Sequence, residues 1–102
     1  MKPMPMHSPI TLSEEQLLQV EEMAGALLPA DEIAILLLDT ASEQSSFVNI
    51  CRNPVDNPIY QAFHRGRLQT KFELRKMVVR LAKAGSPAAE PLADKYLKES
   101  KL

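Results

Sequence analysis

One cysteine, Cys51, is all that 102 residues provide. An internal disulfide is therefore excluded, and the expected location is a reducing cytoplasm. Only two histidines occur, His7 and His64, with no Cys/His cluster at metal-ligand spacing around either. No metal or other cofactor is expected. The three glycines, Gly25, Gly66 and Gly85, stand isolated, which excludes a glycine-rich phosphate loop. No apolar run reaches about 18 residues, so no transmembrane helix is expected. The opening MKPMPMHSPI has no signal-peptide core, and its three prolines predict a disordered lead-in over 1–12. Charged residues make up 25% and hydrophobic ones 45%, as in a globular domain.

Catalysis finds little to work with. His64 falls on a basic helix, and Cys51 near the inner face of a short one, where a buried thiol is inert. The acid pairs Glu14-Glu15 and Asp31-Glu32 suit the positive ends of helix dipoles better than acid–base work. The chain is not expected to be an enzyme.

Net charge is −1, but the two signs are segregated. From Ser13 to Glu43 there are eight acids and no Lys or Arg; from Arg52 to Lys83 there are eight bases and two acids. Halves of opposite sign can attract between neighbouring subunits, or the basic half can meet an anion such as nucleic acid.

Local patterns predict an all-α fold of five helices. Ser13-Glu14-Glu15-Gln16 reads as a capping box opening a helix over 13–28, with Leu17, Val20, Ala24, Leu27 and Leu28 at helical spacing. Pro29 ends it. The run Ile33 to Leu38 has no pairing partner elsewhere and is read as a short buried helix over 30–39. After a polar turn, Thr40 or Ser42 caps a third helix over 43–52. Phe47, Ile50 and Cys51 face inward there, and Gln44, Ser45, Ser46, Asn49 and Arg52 outward. Asn53-Pro54 closes this element, and Asn57-Pro58 opens the next.

The longest helical stretch then runs over 57–84, with no proline after Pro58. At about 100° per residue, Phe63, Thr70, Leu74, Met77, Leu81 and Ala84 form one apolar stripe, and Leu68, Phe72 and Val79 a second. Basic residues lie between them. The first stripe is expected to pack on this chain and the second to form an oligomer interface. Gly66 marks a kink, a close backbone approach, or simply a tolerated surface glycine. Gly85 caps the helix end, and a last helix over 88–98 folds back, Pro91 pushing its regular part toward Glu90. Residues 13–53 and 54–99 are thus expected to form two regions of one compact domain.

Helix, proline corner, short apolar helix, polar turn and short polar-faced helix is the order of a helix-turn-helix unit. Ile33, Leu36 and Leu37 are the expected anchors from its first helix, and Phe47 and Ile50 those from its second. Gln44, Ser45, Ser46, Asn49 and Arg52 are then placed to reach bases or phosphates. Arg65, Arg67, Lys71, Arg75, Lys76 and Arg80 offer further phosphate or intersubunit contacts. The neighbouring acids repel phosphates, so binding by one copy is expected to be weak and several copies to compensate by avidity.

Ala30-Asp31-Glu32-Ile33-Ala34, Tyr60-Gln61-Ala62-Phe63, Gly66-Arg67, Ala82-Lys83-Ala84-Gly85 and the Leu92–Lys98 segment follow one another in a telling order. Over about 13–99, it resembles phage small-terminase proteins. There, a helix-turn-helix is followed by an aromatic, a Gly-Lys/Arg, a long helix, A-x-x-G and a final A-x-x-x-L helix. The resemblance implies a subunit that recognises double-stranded viral DNA, forms a homo-oligomer and hands DNA to a packaging motor with the terminase large subunit. The acidic helix-turn-helix departs from that family. An oligomeric helical adaptor and a dimeric transcriptional regulator are the alternatives.

Overall fold

The computed structural model describes residues 10–53 and 56–100. His7 and Pro54 lie outside them, as does the lead-in up to residue 9. Among the described residues there are five α-helices and no strand: α1 (Glu14–Gly25), α2 (Ala30–Leu37), α3 (Ala41–Arg52), α4 (Pro58–Lys83) and α5 (Glu90–Glu99). The protein is all-α. None of these helices is long and apolar enough to cross a membrane.

Three of the five starts have a side-chain cap, and α2 and α5 have none. The Gln16 N–H donates to the Ser13 hydroxyl at 3.1 Å while the Gln16 side chain accepts from the Ser13 N–H at 2.9 Å, closing the capping box. Thr40, not Ser42, caps α3, its Oγ1 accepting from the Glu43 N–H at 3.2 Å. The Asn57 side chain accepts from the Ile59 N–H at 2.8 Å at the head of α4.

Helix ends differ from the expected ranges where the signal is hidden. α1 stops at Gly25 because Leu27 turns left-handed, at φ 67°. The Leu28 N–H then bonds to the Met23 carbonyl (3.2 Å) and the Leu27 N–H to the Ala24 carbonyl (2.9 Å). This is a Schellman ending with leucine where glycine is usual. α4 closes in the same way on Gly85 at φ 91°, with Ser86 bonded to Leu81 and Gly85 to Ala82. α5 begins at Glu90, with Pro91 in its first turn.

The chain divides into two compact units, and the division falls inside α4, between Gln69 and Thr70. This is later than the boundary at 53/54 drawn from the prolines, because the first half of α4 is buried in the first unit. That unit's core is Leu12, Val20, Ala24, Ile33, Ala34, Leu38, Phe47, Cys51, Ile59 and Phe63. Ile10 packs against it. The lead-in therefore extends too far as drawn at 1–12, since Ile10 and Leu12 are anchoring residues. Gly66 resolves as a close approach of backbones: a Cβ there would lie 3.0 Å from both the Glu21 carbonyl carbon and the Gly25 nitrogen of α1.

The second unit holds the end of α4 and all of α5. Arg75 joins them, 3.1 Å from the Glu99 carboxylate and 4.1 Å over the Tyr96 ring. Both residues of the ion pair are partly exposed, so it contributes well under about 1 kcal/mol, and the ring contact a similar amount. Among its described residues only Ala89 is buried.

Candidate nucleic-acid interface

The α2–α3 pair is held by side chains of graded size. Ile33, Ala34 and Leu38 from the first helix and its exit meet Phe47 and Cys51 from the second. Ala34, fully buried, lets the two backbones come close; Leu37, Val48 and Ile50 seal the margin. The connection Leu38–Thr40 is fastened twice. Thr40 caps α3 and donates to the Glu43 carboxylate at 3.0 Å, and the Gln44 amide donates to the Leu38 carbonyl at 3.0 Å.

These constraints sort the expected contact residues. Gln44 is half-buried and its amide nitrogen is committed to the turn, although the residue still lines the cleft beside Ser45 and Asn49. Ser46 is buried: the inward arc of α3 runs from Ser46 round to Val48 and is wider than its apolar residues mark. Leu36, expected as an anchor, is exposed, and Ala34 and Leu38 take its place. Ser45, Asn49 and Arg52 do face outward, along an open cleft of about 450 Å³ that Asp31, Ile35 and Val48 also line.

Asn53 was not among the expected contacts. Its side-chain amide donates to the Asn49 carbonyl at 2.6 Å and to Asn49 Oδ1 at 3.1 Å. With that oxygen engaged, the Asn49 amide presents its N–H groups, a donor pair able to meet an acceptor on a base or phosphate. The Asn-x-x-x-Asn spacing at a helix end was the available signal.

The basic residues of α4 divide as the units do. In the first, Arg67 lies 5.6 Å over the Phe63 ring, and Arg65 lines a cleft with Glu14 and Glu21 of α1. His64 Nε2 donates to the Cys51 carbonyl at 3.0 Å, against Tyr60, tying α4 to the end of α3. In the second, Arg75 is committed to α5, Lys76 lies 5.1 Å over Phe72, and Lys71 and Arg80 are exposed.

The apolar stripes also need reassignment. Leu68 and Phe72 are exposed as expected of an interface, but Val79 is half-buried and shares a groove with Ala82, Ala93 and Tyr96 of the same unit. Of the stripe expected to pack inward, only Phe63 is buried; Leu74, Met77 and Leu81 are exposed. The helix turns a different side to α5 from the one the periodicity selects.

Burial pushes the Cys51 thiol from 9.0 up to about 12, keeping it protonated. No group of three or more His, Cys, Asp or Glu side chains among the described residues is placed to hold a metal ion. No family model, no curated protein and no solved structure matches the chain.

Proposed function

We propose that this is a DNA-binding protein that works as an oligomer, in the manner of a phage small terminase subunit, with no catalytic step of its own. In this reading α3 enters the major groove of duplex DNA, with Ser45, Asn49 and Arg52 as its contacts, and exposed bases of α4 add phosphate contacts. Several subunits together present viral DNA to a large subunit. The observation that carries the reading is the α2–α3 pair itself, two short helices locked through a three-residue turn, with Ser45, Asn49 and Arg52 along its open cleft.

One observation favours the rival, a protein–protein adaptor. Asp31 lines the same cleft as Arg52, and Glu14, Glu15 and Glu32 are exposed on the same unit. These charges oppose phosphate and would suit a basic protein surface.

Duplex binding followed by fluorescence anisotropy against salt separates the two. DNA binding falls steeply as salt rises because counterions are released, and Arg52→Ala should weaken it about three- to tenfold with a shallower salt slope. No binding at low salt would reject the DNA reading. A regulator instead predicts a dimer as the largest assembly, bound to a palindromic site.

A further inference from the structure

The second unit leaves three large apolar side chains in a row on α4: Leu74 is 52% exposed, Met77 56% and Leu81 48%. Their spacing of three and four, continued by Ala84, is the a/d seam of a coiled coil. α5 does not cover it. Arg75, Val79 and Ala82, which meet or share a groove with α5, lie on another side of the helix. A seam of this kind, on a unit with one buried described residue, lacks a partner.

The charges beside the seam identify that partner. Glu73 and Arg80 are seven residues apart, so they fall within about 20° of each other on one flank of the seam, where Arg80 also borders an open groove with Tyr96 and Ser100. Both are exposed, and neither forms an ion pair among the described residues. Along one helix they are too far apart to pair, since only neighbours three or four apart meet.

We propose that α4 pairs through this seam with α4 of a second copy, antiparallel, about a two-fold axis near Met77. Leu74 then stacks by the partner's Leu81. Glu73 reaches the partner's Arg80, and symmetry repeats the ion pair on the other side of the axis. A parallel pairing leaves both charges without an opposite. Lys76 and Lys83 lie more than about 100° round the helix from the seam and do not meet across it. The inference rests on the oligomeric part of the proposed function and on none of its DNA part.

The test is sedimentation equilibrium of the full chain without DNA, with far-UV circular dichroism to establish folding. Wild type is expected to contain dimer, and Met77→Glu to be monomeric at unchanged helicity. Glu73→Arg and Arg80→Glu should each weaken dimerisation by roughly tenfold, as like charges come to face each other. Mixed one to one, these two variants should recover the wild-type affinity, because each then supplies the charge the other needs. A monomeric wild type would overturn both the seam and the oligomeric reading. An oligomer that Met77→Glu leaves intact would overturn the seam alone, and so would a mixture no tighter than its components.

Discussion

Gly66→Ala separates the two forces that a helix glycine sets against each other. In an exposed position the change should stabilise α4 by about 1 kcal/mol, the propensity difference between the two residues. Here the added methyl meets the Glu21 carbonyl group and the Gly25 nitrogen, all backbone of α1. No side-chain rotation can make room, so α1 and α4 must move apart and loosen the core that holds Val20, Ala24 and Phe63. Overpacking of this kind costs about 1–3 kcal/mol, and rigid backbone neighbours place it at the upper end. The net loss is then about 2 kcal/mol, or a fall in Tm of roughly 8–16 °C for a chain of this size. Thermal unfolding followed by far-UV circular dichroism, at one protein concentration, measures it. A Tm equal to or above wild type would refute the reasoning, since only an uncrowded glycine gives that result.

Other perturbations have equally definite signs. Leu27→Gly should raise stability by about 0.5–1 kcal/mol in urea denaturation, because the left-handed turn at φ 67° strains leucine and not glycine. Leu27 is 48% exposed, and the burial it gives up offsets part of the relief, which keeps the gain below the full cost of about 1–2 kcal/mol for a left-handed leucine. Between pH 9 and about 12 the unfolded chain carries a Cys51 thiolate while the folded one keeps the thiol. The unfolded state then binds fewer protons, so this contribution is complete below pH 9 and is lost as pH rises, by about 1.4 kcal/mol per unit. Cys51→Ala should therefore show a shallower alkaline loss of stability than wild type.

How much could be read from residue order follows the physics of each signal. Capping residues and prolines act over three or four positions, so Ser13, Pro29 and Asn57-Pro58 announced their helices directly. The end of α1 was hidden, because nothing marks Leu27 as the residue that turns left-handed. In the run Ile33–Leu38 every position is apolar, and periodicity cannot choose a face; packing chose Ile33, Ala34 and Leu38 and left Ile35 and Leu36 outside. Ser46 is buried as a small residue in a crowded arc, where polarity alone reads it as solvent-facing. Of the candidate contacts, Ser45, Asn49 and Arg52 followed from spacing. The commitments of Gln44 and Arg75 depend on where a chain turn and α5 come to lie, six and twenty-four residues away.

The scarcity of buried side chains around α5 bears on when that helix is present at all. A ten-residue helix is marginal in water by itself, and its tie to α4 consists largely of one arginine on a carboxylate and a ring. Amides of α5 should exchange with solvent through local opening while those of α1 to α3 wait for global unfolding. If assembly covers the neighbouring surface, protection of α5 will rise with protein concentration by mass action. Those ten residues would then report how many copies are present.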